Sequence, residues 1–171
     1  MSRQEQPMVD VRELILSRMG EEGIRVVDVQ EIDVSKIRPD KRTRWKCRFG
    51  CNYFGKRYSC PPNVPDDFEE FISSYSRALV VIYEFSDYME DKLKLQRILP
   101  EIEARLIFDY PMAFALFPGG CDLCESCEYE RSGRCVKPER VRPSVSSVGI
   151  IVSRLGVKIG DGKSVAIILL E

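Results

Sequence analysis

Ala78-Leu79-Val80-Val81-Ile82-Tyr83-Glu84-Phe85 is an apolar run with a single charge, rich in β-branched and aromatic side chains. Such a run predicts a buried strand. Pro-Met-Ala-Phe-Ala-Leu-Phe-Pro at 111–118 and Val-Ala-Ile-Ile-Leu-Leu at 165–170 read the same way. Residues 24–34 place Ile24 and Val26, then Val27 and Val29, in near alternation, and predict a further strand. Helical patterns lie between these strands. Residues 9–19 carry Val11, Leu14, Ile15 and Met19 at spacings of three and four, with a stop near Gly20 or Gly23. Pro65-Asp66-Asp67-Phe68-Glu69 opens a second helix, with Asp66 as cap, Glu69 as its capping-box partner, and Phe68, Phe71 and Ile72 as the buried stripe. Residues 88–98 and 101–108 read as helix broken or kinked at Pro100, and 144–155 as a last helix. Helices alternating with buried strands predict an α/β fold, a single mixed β-sheet with packed helices. Two Cys-rich metal-binding loops, at 41–63 and 119–142, each follow a strand and are expected to meet at one edge of the sheet. No repeat or boundary divides the chain, so residues 1–171 read as one domain.

Seven Cys and no His narrow the chemistry. Without His there is no Ser-His-Asp triad, no Cys-His nucleophile pair, no His-ligated catalytic zinc and no Rieske-type centre. The balance of 26 basic and 27 acidic residues gives a formal charge of −1, which implies no polyelectrolyte partner. The opening Met1-Ser2-Arg3-Gln4-Glu5-Gln6-Pro7 lacks the apolar segment of a secretory signal. The longest apolar stretches fall far short of a membrane span. The expectation is a cytoplasmic protein with no membrane partner. In that compartment thiols stay reduced, and clustered Cys signal metal or redox chemistry rather than disulfides. An odd number of Cys points the same way.

The strongest local signal is Cys121-x2-Cys124-x2-Cys127. One tight loop with this spacing can wrap three corners of an iron–sulfur cubane, as in bacterial ferredoxins. Cys135 follows eight residues on, with Pro138 just beyond, and is the candidate fourth ligand. The ferredoxin pattern places its fourth Cys three residues on, directly before Pro, so the fourth position stays open. Zinc knuckles usually pair two separate C-x2-C units across a longer spacer. Three Cys in one loop therefore fit a [4Fe-4S] cluster better than zinc, which remains the alternative.

Cys47-x3-Cys51-x8-Cys60-Pro61-Pro62 supplies the other three thiols. Three ligands would leave a metal with an open position, able to act as a Lewis acid. A crossed arrangement, with Cys60 closing the Cys121/Cys124/Cys127 group, is the other assignment its Cys-Pro step allows. Lys41, Arg42, Arg44, Lys46, Arg48, Lys56 and Arg57 surround this site with no acid among them, interleaved with Trp45, Phe49, Tyr53, Phe54 and Tyr58. These cations either offset thiolate charge or bind an anionic small molecule, with Lys56, Arg57 and Tyr58 orienting it. RNA binding is the third and least favoured use.

Together these pieces resemble a family of archaea and anaerobic bacteria described as predicted metal-binding proteins, a domain of unknown function with two Cys motifs. The resemblance rests on Cys47-x3-Cys51, Tyr53-x-Gly55-Lys56, Ser59-Cys60-Pro61-Pro62, Cys121-x-Leu123-Cys124-Glu125-x-Cys127, Cys135-x-x-Pro138, and Arg142-Pro143-Ser144 leading into Gly149-Ile150. It implies metal binding and an iron–sulfur cluster, and it supplies no reaction. The Arg-Pro-Ser segment would start the last helix with Ser144 as its cap.

Three functions are open at this stage. The first is an iron–sulfur redox protein that serves a redox partner protein. The second is a cluster-dependent enzyme using the open three-Cys site on an anionic or sulfur-containing substrate. The third is a zinc-stabilised RNA-binding module. No phosphate-binding G-x-x-x-x-G-K-[ST] and no G-x-G-x-x-G is present, so nucleotide dependence has no support.

Overall fold

Four strands form one sheet in the computed structural model of the chain, which describes residues 8–171. The seven residues that carry the reading against a secretory signal lie outside the described residues. The strands are β1 (Arg25–Asp33), β2 (Arg77–Glu84), β3 (Phe114–Leu116) and β4 (Lys163–Leu170), in the order β1-β2-β4-β3. The expected α/β architecture is present, and each expected strand is found.

The central strands β2 and β4 are buried along almost their whole length. Successive side chains point to opposite faces. Leu79, Val81 and Tyr83, with Ala166, Ile168 and Leu170, face one layer made by α1 (Val11–Glu21) and α4 (Tyr88–Arg105), through Ile15, Met19, Leu95, Leu99 and Ile102. Ala78, Val80 and Ile82, with Val165, Ile167 and Leu169, face the other layer. That layer holds α3 (Phe68–Ser73) and the 3-10 turns at Val34–Lys36 and Ser146–Val148, through Phe68, Ile72, Val145 and Val148.

The sheet is antiparallel at all three pairings, where a mixed sheet was expected. β2 and β3 do run the same way with α4 as crossover, because each is antiparallel to β4. β4 inserts between them, and the parallel pair never forms. A lone parallel bridge joins Phe117 to Ser144. The continuous apolar runs record burial on both faces, not the direction of the neighbouring strand.

The helices follow local chemistry where packing agrees with it. Asp10 caps α1 by accepting from the Glu13 N–H at 3.1 Å, and Val11, Ile15 and Met19 recur every four residues on the buried side. Pro100, expected to break or kink the helical pattern, lies inside the continuous α4. It is buried beside Leu99 and Ile102, so packing on the sheet holds the helix across the missing N–H. α3 starts after Asp67, with no side-chain cap bond. Asp66, the expected cap, instead meets Arg44 at 3.0 Å.

Two segments differ from expectation. Nine residues of the expected loop at 41–63 form α2 (Arg42–Gly50), which buries none of its residues. Arg44 pins it down, donating to the carbonyls of Ser147, Val64 and Pro65 at 3.0, 3.1 and 2.8 Å. The expected helix at 144–155 is instead two 3-10 turns, Ser146–Val148 and Val152–Arg154. Gly149 stops the first at φ 79°, and a Cβ there would sit 2.6 Å from the Phe68 ring. The second Cys region is irregular apart from α5 (Glu128–Ser132) and the turn Pro138–Arg140. Among the described residues no helix is long and apolar enough to cross a membrane.

Candidate metal centre

Past the end of β3 the chain turns at Gly119-Gly120 and enters the loop that carries four of the thiols. Cys121, Cys124, Cys127 and Cys135 all line one cavity of about 20 Å³. Leu123, Val136, Val141, Tyr58 and Tyr129 wall it, and Arg57 brings a guanidinium to its side. None of the seven thiols is in a disulfide. Burial pushes the Cys121 thiol up to about 11, and burial pushes Cys135 up as well. Thiols held this way ionise when a cation takes the place of the proton. Among the described residues no three thiols or carboxylates close to the spacing of a single bound ion.

Local bonds hold the loop in this shape. The Arg57 Nε donates to the Cys121 carbonyl at 2.9 Å, and its Nη1 meets Glu130 at 2.6 Å. The Cys127 Sγ lies 3.8 Å from the Lys56 carbonyl.

The other three thiols gather on the far side of a thin wall. Cys47 lies in α2 and Cys51 just past its end, one helical turn apart, and Cys60 comes from the segment that follows. All three line a pocket of about 260 Å³ with Tyr88, Lys92, Ser144 and Ser146. Burial pushes the Cys60 and Cys47 thiols up, and neighbouring Cys add to the shift. Residues 57–60 and 119–122 form the wall. Ser59, 1% exposed, spans it. Its Oγ accepts from the Cys121 N–H at 2.8 Å and lies 3.4 Å from the Cys60 Sγ. The Ser59 carbonyl accepts from the Ser144 N–H at 3.1 Å. The two Cys regions therefore do meet past the edge strand β3.

Helix α4 fixes this wall with two polar residues on its buried face. The Lys92 Nζ lies 2.6 Å from the Asp122 Oδ2, and the Tyr53 hydroxyl donates to the same carboxylate at 2.9 Å. One turn on, the Gln96 amide donates to the Gly120 carbonyl and accepts from the Asp122 N–H, both at 2.8 Å. Gly120 has to be glycine, since a Cβ would lie 2.8 Å from the Tyr53 ring. Sequence reasoning missed Lys92, Gln96 and Asp122, and it named Ser59 only as part of the Ser59-Cys60-Pro61-Pro62 motif, with no role. Their signal was slight: Lys92 and Gln96 occupy stripe positions among Leu95 and Leu99 where apolar residues would stand.

The sequence-proposed residues are redistributed. Cys135, not Cys60, shares the cavity with Cys121, Cys124 and Cys127, while Cys60 stands with Cys47 and Cys51. Arg57 and Tyr58 line the four-Cys cavity rather than the three-Cys pocket, and Lys56 points to Glu130 at 4.0 Å. The basic stretch is answered by acids from elsewhere in the chain. Lys41 pairs with Glu69, Arg42 with Asp40, Arg44 with Asp66, and both Lys56 and Arg57 with Glu130. Trp45 and Phe49 stack on the exposed side of α2 with centroids 6.0 Å apart.

Compared with known families, residues 30–163 match the family described as "Predicted metal-binding protein (DUF2284)". The matched span holds all seven Cys and every residue of the wall between them. No curated protein and no solved structure matches the chain.

Proposed function

The chain belongs to the family of predicted metal-binding proteins DUF2284, and on that premise we propose that it is an iron–sulfur protein whose loop thiols Cys121, Cys124, Cys127 and Cys135 hold a [4Fe-4S] cluster used for electron transfer. The observation that carries this reading is that four thiols, three of them within seven residues, line a single cavity. Three of these thiols have the C-x2-C-x2-C spacing with which one tight loop wraps three corners of a cubane. The absence of His leaves an all-thiolate donor set, which cubanes take and four-Cys zinc sites share.

Bound there, the cluster would supply one-electron redox chemistry. The chain's own residues tune it by charge, hydrogen bonding and exclusion of water. Arg57 sets a cation beside the thiolates, and the buried Val141 with the partly buried Leu123 covers their inner side. The Cys121 N–H is already committed to Ser59, so it does not bond to sulfur. On the outer side Glu125, Ser126 and residues 130–134 are exposed, leaving an edge that a redox partner protein in the cytoplasm can approach. The RNA-binding module lacks comparable support, because five of the seven cations in the basic stretch are already paired with acids of the chain.

Protein prepared without oxygen should be brown, bleach on adding dithionite and recover its colour on gentle reoxidation. Cys124→Ala should lose the iron bound by this loop. Colourless protein carrying stoichiometric zinc, or colour that no reductant changes, would contradict the reading.

A further inference from the structure

We propose that Cys47, Cys51 and Cys60 form a second metal centre with one coordination position free, and that this position opens on a binding pocket for a small carboxylate or thiolate. The proposal rests on the iron–sulfur reading of the chain and adds to it a ligand site. Three independent observations converge on it.

First, the three thiols come from two separate segments yet line one pocket of about 260 Å³. Cys60 is 5% exposed, and the partly exposed Cys47 and exposed Cys51 stand over it at the pocket's surface side. Second, the set stops at three. The other four thiols line their own cavity across the Ser59 wall, and no His exists to complete a fourth ligand. A metal here would keep an open position and act as a Lewis acid on whatever fills it.

Third, the surroundings suit an anion with further oxygen atoms. Ser144 and Ser146 share the pocket with the thiols and offer hydroxyls 3.5 Å apart. Lys92 and Tyr88 contribute to the same lining. On the other side of Cys47 and Cys51, a second opening brings Arg42, Lys46 and Arg154 against the single carboxylate of Asp40. This surplus of positive charge, together with the hydroxyls, would attract and orient a carboxylate or thiolate. Lys56, Arg57 and Tyr58, the residues that sequence alone would assign to such a ligand, face the four-Cys side.

The test compares oxygen-free holoprotein with a Cys47→Ala/Cys51→Ala double variant, both checked for fold by circular dichroism and thermal unfolding. Wild type should hold about eight irons and the variant about four. About four irons in both, with no zinc that the variant loses, would overturn the second centre while leaving the four-Cys reading intact. No iron and no zinc in either would overturn both. Wild-type zinc that the double variant loses would keep the second centre and assign its metal as zinc. In the ligand arm, malonate and 2-mercaptoethanol are titrated into reduced holoprotein and followed by electron paramagnetic resonance. A saturable change with either probe, absent from the double variant, supports the pocket and identifies the donor atom. Ser146→Ala, an exposed position, should weaken the malonate response about tenfold, the loss of one charge-assisted hydrogen bond. An unchanged spectrum with both probes, in protein that holds both centres, would overturn the pocket.

Discussion

Lys92 and Gln96 stand one turn apart on the buried face of α4, among Leu95, Leu99 and Ile102. Burial opposes the charge on Lys92, but hydrogen bonding and attraction to Asp122 outweigh it and hold the ammonium above its usual range. Removing one member of such a pair leaves the other charged and poorly solvated, which costs about 3–5 kcal/mol when both are buried. Asp122 keeps some solvent contact, with 17% of its side chain exposed against 2% for Lys92, so the low end applies. Lys92→Met should lower the free energy of unfolding by about 3 kcal/mol in denaturant titrations. Adding Asp122→Asn should recover part of that loss. Additive losses would show that the pair carries no coupling. The cysteines were legible in the sequence because their spacing is local. Lys92, Ser59 and Asp122 were not, because what matters in them is a contact between distant segments: Lys92 with Asp122, Ser59 with Cys121.

Helix α2 shows how a short element is held without a core of its own. Its first turn is tied by Asp40, which accepts from the Arg42 backbone at 2.9 Å and pairs with Arg42 and Arg154 at 2.6 and 3.0 Å. The Arg42 hydrogen bonds hold the Asp40 carboxyl far below the usual carboxylate range, with Arg154 adding to the effect. A depressed folded-state pKa gives stability that is present above the unfolded value and lost as pH falls through the folded one. The unfolded value is about 4, so the loss begins as pH drops below about 5. Thermal unfolding of wild type should therefore weaken more steeply with acid than that of Asp40→Asn, which lacks this carboxylate. Parallel curves would contradict the role. The sequence could not announce α2, because its stabilising contacts lie at Ser147, Val64 and Pro65 rather than in an apolar stripe. The helix expected at 144–155 failed for the opposite reason: suitable residues are interrupted by the close approach of Phe68 to Gly149.

At the scale of the whole molecule, two apolar layers cover both faces of a four-stranded sheet, and the seven cysteines gather past one edge of it. The strand runs were legible because burial on both faces writes a continuous apolar pattern. Their directions were not, because β4 enters last in the chain and pairs between β2 and β3. That placement makes β3 an edge strand, and past its end the two cysteine groups lie back to back with Ser59 between them. On the proposed reading such closeness would let two centres exchange electrons, and the identity of the metal would decide it. The direct measurement is iron, zinc and acid-labile sulfide, counted per chain in protein purified and kept without oxygen. An iron–sulfur protein gives iron and sulfide in equal amounts, about four or more of each, with both reduced in Cys124→Ala. About one or two zinc per chain with no sulfide would contradict it.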